Sequence, residues 1–137
     1  MVIALKPDTA HRWRLLRRLA LLGLLLPYLI SGVMKLLDFG GAQAEVAGLL
    51  GAVAVAPLAA AVIVLQLGGS VLLLHGGRLA WLAGVALAAF TLAATFLAHR
   101  WWGLPPGPDR AHAFNGFWEH IALVGALLYA ALTEPAA

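Results

Sequence analysis

An all-α fold, a polytopic four-helix transmembrane bundle, is predicted by three features of the sequence. Of the 137 residues, 63% are hydrophobic and 11% charged, with a mean hydropathy of +0.92, well beyond the roughly half-apolar make-up of soluble domains. Four apolar runs, at about 19–37, 58–74, 79–98 and 117–132, each approach the ~20 residues that cross ~30 Å of hydrocarbon. Breaks containing glycine and proline separate them. Residues 1–137 read as a single transmembrane domain.

The first run follows Lys6, Arg12, Arg14, Arg17 and Arg18, with Trp13 among them. Such a basic border is a topology signal and an anionic-lipid contact. It also accounts for the net charge of +3 without nucleic acid as a partner. Between runs one and two, "DFGGAQAEVAGLLGAVAVAP" is too short and small in its side chains to span, and predicts a surface or re-entrant segment with one short helix at 42–50. The "HGGR" at 75–78 is a tight connection that makes runs two and three an antiparallel hairpin. "HRWWGLPPGPDRAHAFNG", at 99–116, reads as the loop before run four.

Lys6, the four arginines and Arg78 fall on one side, against Lys35, Arg100 and Arg110 on the other. This bias places both termini in the cytoplasm. Trp101, Trp102 and Trp118 then form an outer aromatic belt. The "AQA" at 42–44 resembles a signal-peptide cleavage site, but the apolar run before it is too long and carries Lys35 and Asp38, so an uncleaved first span is expected. The absence of cysteine excludes disulfide and dithiol chemistry.

Polar residues recur at helical spacing. Tyr28, Ser31, Lys35 and Asp38 fall on one face of span one, and Gly84, Ala88, Thr91, Thr95 and His99 on one face of span three. Span two offers Gln66 and Ser70 beside Gly68 and Gly69, both glycines being expected at a helix contact. Span four is approached by His112, Asn115 and Glu119, with His120 adjacent. At 1.5 Å per residue Lys35 lies ~25 Å from Arg18, at the outer boundary, where His99 and Glu119 also fall.

These stripes describe a funnel, charged outside and neutral inside, with Lys35 and Asp38 paired with each other or with Glu119. Taken singly, the same residues have plainer roles. A lysine near a span end snorkels, and hydroxyls in membrane helices bond their own backbone or neighbouring helices. Gln66 at mid-depth is different, because hydrocarbon offers its amide no water. The candidate ligand-binding set is therefore Lys35, Asp38, Gln66, Thr95, His99, Glu119 and His120. No catalytic residue or metal site is assigned.

Four words in the sequence resemble, in order, motifs of the DoxX family of membrane proteins. "LISGVMKLLDFGG" is similar to the motif ending that family's first span, and "QLGGSVLLLHGGRLAWLAG" to its second-span motif before a turn. "FTLAATFLAHRWW" and "FWEHIALVGALL" resemble its third- and fourth-span elements. Gln66 stands where many members have glutamate, so a proton-carrying role does not transfer to that position. The resemblance implies a compact four-helix protein of the bacterial inner membrane, with some relatives associated with quinone-linked sulfur oxidation or oxidative-stress complexes. It leaves three readings open: a membrane subunit binding a quinone-like head beside a partner redox protein, a scaffold whose polar ring locks four helices, and a small-solute transporter. Quinone heads need donors to their carbonyls and a group able to pass a proton, which Lys35, Gln66, His99 and His120 supply by type.

Overall fold

The computed structural model describes residues 7–133; Lys6, counted above at the N-terminal border, lies outside them. The helices are α1 (Pro7–Leu37), α2 (Phe39–Leu50), α3 (Val55–Val64), α4 (Ser70–His75), α5 (Ala80–Ala98) and α6 (Pro108–Thr133). A π-helical turn, Leu65–Gly69, joins α3 to α4, and a 3-10 turn occupies Trp101–Gly103. No strand occurs among the described residues. Four stretches are long and apolar enough to cross a membrane: Asp8–Leu37, Val55–His75, Ala80–Gly103 and Pro108–Thr133. The all-α four-span architecture expected from composition is thus the one observed, with α2 as the short helical segment between the first two spans.

Local chemistry sets the helix ends. α1 stops at Leu37, and Asp38 leaves helical geometry to accept the Gly41 N–H at 2.9 Å as the N-cap of α2. α2 consequently begins at Phe39, earlier than the 42 expected. Gly76 and Gly77, at φ of 82° and 94°, make the α4–α5 turn that side chains would strain. α6 starts at Pro108 rather than near 117, because proline suits the first helical position and Asp109 the first turn. Half of the expected "HRWWGLPPGPDRAHAFNG" loop is therefore helix.

Packing follows the small residues. α5 and α6 make the most extensive helix pair. A Cβ built on Gly84 would lie 2.7 Å from the Ala131 Cβ and 3.3 Å from the Leu127 carbonyl, so only glycine permits this approach. Gly32 allows α1 to meet Leu67 in the same way, at 2.7 Å. Gly69 is buried against Leu87, but Gly68 is exposed, and a Cβ there would meet nothing within 4 Å. The expectation for the glycine pair thus holds for Gly69 and fails for Gly68, since successive residues of a helical turn point in different directions.

Leu25, Leu73, Leu87 and Leu127 are fully buried, one from each spanning segment. They belong to one apolar cluster at the level between the polar residues and the end bearing both termini. Large apolar side chains such as Ile30, Val64, Leu82 and Leu132 cover the outside, the arrangement a lipid solvent favours.

Candidate functional site

Above this leucine layer the helices part around a cavity of about 250 Å³. Its polar walls come from Tyr28, Ser31 and Lys35 of α1, Gln66 of the π turn, Thr91 of α5, His99 just beyond α5, and His120 of α6; Glu45 of α2 closes one side. π-helical turns are uncommon and concentrate at functional positions. Here one carries the only buried carboxamide among the described residues.

The cavity gathers four of the seven residues singled out by spacing: Lys35, Gln66, His99 and His120. Thr95 is buried behind the wall and donates to the Thr91 carbonyl at 2.6 Å. Asp38 and Glu119 are exposed and stand outside the cavity. Asp38 caps α2 and borders an open cleft beside Lys35. The pairing expected for Lys35 is corrected: its ammonium lies 3.2 Å from a Glu45 Oε2 and donates to Ser31 Oγ at 2.7 Å. Asp38 is unsuited to that role because the helix carrying Lys35 has ended and the Asp38 carboxylate is engaged by Gly41. On α6, His112, Asn115 and Glu119 face outward, and His120 faces in.

Two site residues gave no signal in isolation. Glu45 reaches Lys35 across a helix break. Gly116 lies one turn before His120, and a Cβ there would come within 2.8 Å of the His99 ring. Its bare backbone lets His99 and His120 stack, with ring centroids 4.6 Å apart at 31°.

Proton accounting shows what the walls can exchange. The Thr91 hydroxyl donates to the Leu87 carbonyl at 2.7 Å, which uses its one proton. The 2.6 Å contact with Tyr28 is therefore a donation from the phenol, leaving the Tyr28 oxygen as an acceptor. His120 Nδ1 lies 2.6 Å from the Gly116 carbonyl, so Nδ1 carries the proton there, and Nε2 is left to bond a ligand. Lys35 has three N–H groups, two directed to Ser31 and Glu45, and one remains. Gln66 is 5% exposed, and its Oε1 has no hydrogen-bond partner among the described residues. The cavity thus offers both a donor and acceptors. Among the described residues no three His, Cys, Asp or Glu side chains group as a metal site.

The Lys35–Glu45 pair is asymmetric, with side chains 17% and 55% exposed. Glu45→Gln strands a mostly buried ammonium and should cost ~1 to 3 kcal/mol, below fully buried pairs because Ser31 still accepts from it. Lys35→Met leaves a carboxylate that water takes up, and should cost under ~1 kcal/mol. In thermal unfolding the double variant should match Lys35→Met. A neutral Glu45→Gln would show that the lysine reaches water unaided.

Fold and cavity together define a small multi-pass α-helical membrane protein with a cavity between its spans that polar and apolar side chains line. A family model described as DoxX matches residues 14–100, and the chain belongs to the DoxX family. The match contains Lys35, Gln66 and His99 and stops before α6, so the contribution of His120 rests on this chain's own geometry. No curated protein and no solved structure is significantly similar to the chain.

Proposed function

We propose that the cavity binds the ring head of a quinone-type ligand, and that the protein serves as a bacterial inner-membrane subunit working beside a redox partner. The observation that carries this reading is the buried Gln66 in the cavity wall, whose carboxamide oxygen has no hydrogen-bond partner among the described residues. A buried polar atom without a partner costs roughly 1 to 3 kcal/mol, and turning the carboxamide into the cavity would let a ligand hydroxyl satisfy it. The free Lys35 N–H suits a quinone carbonyl. The Tyr28 oxygen and His120 Nε2 suit a quinol hydroxyl, with the imidazole able to take its proton.

A purely scaffolding role accounts less well for the same residues. Tyr28 with Thr91, and Lys35 with Ser31 and Glu45, satisfy one another as helix-locking groups do, but the Gln66 oxygen has no such partner. Transport is disfavoured by the leucine layer, which interrupts any polar path. With both termini cytoplasmic, as the basic bias implies, the cavity opens toward the outer leaflet.

Mass spectrometry of gently purified protein tests the reading: a retained quinone is expected, and only bulk phospholipid would defeat it. A reporter fused after Arg110 should score as external; an internal signal would turn the cavity toward the cytoplasm.

A further inference from the structure

A second cavity, about 220 Å³ and apolar, lies beneath α2 between α3 and α5. It shares Lys35, Glu45, Leu49, Phe90 and Ala94 with the walls of the polar cavity. Apart from Lys35 and Glu45 its lining is aliphatic or aromatic. The exposed Leu50, Leu58 and Leu97 on its border open it to the lipid-facing surface. The polar cavity, at about 250 Å³, falls below the ~300 to 1,000 Å³ of sites that enclose a drug-sized molecule. It has room for a head and not for a chain.

We infer that the groove under α2 receives the hydrocarbon tail of the ligand whose ring occupies the polar cavity, so that the ligand enters sideways from the bilayer. The inference rests on the head-group reading above. Continuity selects the occupant: a molecule with its ring against Gln66 and His120 meets the shared wall at Phe90 and Ala94, and beyond that wall lie only apolar surfaces. The Lys35–Glu45 pair stands at the junction of ring and chain, where both cavities count it as wall. α2 is the roof of this passage, and the Asp38 cap fixes where that roof begins.

The test compares two probes on protein in nanodiscs, a benzoquinone with only small ring substituents and the same ring bearing a decyl chain. In the native chain the decyl probe should bind on the order of tenfold or more tighter, since buried methylenes supply the difference. Val62→Trp and Ala93→Trp, each on the groove and off the polar cavity, should bring decyl affinity down to that of the ring and leave the ring unaffected. If the decyl advantage survives both substitutions, or if both probes weaken equally, the groove does not hold the tail. If neither probe binds the native chain, the head-group reading falls, and this inference with it. A diazirine at the chain end should label α3 or α5 of the native protein around Leu58, Val62 or Leu97. Labelling elsewhere overturns the inference whatever the variants do.

Discussion

Replacing Gln66 with leucine should raise the thermal stability of the ligand-free protein while abolishing its stabilisation by quinone. The glutamine is 5% exposed, and its Oε1 has no partner among the described residues. Leucine has similar bulk and nothing to satisfy, so the exchange should recover ~1 to 3 kcal/mol. Residues kept at a cost to stability are expected where a ligand supplies the missing bond. Unfolding followed by tryptophan fluorescence, with and without the decyl quinone, separates the two effects. A Gln66→Leu protein that melts lower without ligand would mean that the carboxamide supports the fold, and the case for a head-group site would lose its main support.

Gly84→Leu should be the most damaging substitution on a helix face. Its first side-chain atom would already be 2.7 Å from Ala131, and both backbones lie too close to yield cheaply. Overpacking of this kind costs ~1 to 3 kcal/mol or more, enough in a small bundle to lower the melting temperature markedly or prevent assembly. Gly68→Leu supplies the contrast, because that position faces outward with nothing within 4 Å and should tolerate the change. Equal behaviour of the two variants in detergent would mean that α5 and α6 do not pack as described.

Much of the fold could be read in the sequence because a lipid solvent enforces both length and period. The stripe of Gly84, Ala88, Thr91 and Thr95 is buried throughout, as helical spacing alone required. Spacing stopped informing where the helix stopped. Asp38 shares a face with Lys35 only on a helix that continues, and this one ends at Leu37. Glu45 was hidden for the same reason, since its approach to Lys35 depends on how the chain turns at Asp38. Glu119 and His120 posed a different problem: neighbours on a helix point ~100° apart, so one had to face outward, and spacing alone did not say which. The π turn left only the Gly68-Gly69 pair as a trace, because apolar patterning does not register one wider turn.

The four fully buried leucines have a consequence for charge. Leu25, Leu73, Leu87 and Leu127 are buried in one apolar cluster on the side of the cavity toward both termini, so the buried side chains there offer a proton no polar relay. A proton taken up or released in the cavity is then not passed across the low-dielectric barrier, so most of the ~2.3 kcal/mol that each charge would gain or lose per 100 mV of membrane voltage does not enter. If the proposed quinone site is occupied, binding there would then couple only weakly to voltage. In proteoliposomes, quinone affinity should change little when a potassium diffusion potential is imposed, and a marked shift with voltage would reveal a conducting path through the leucine cluster.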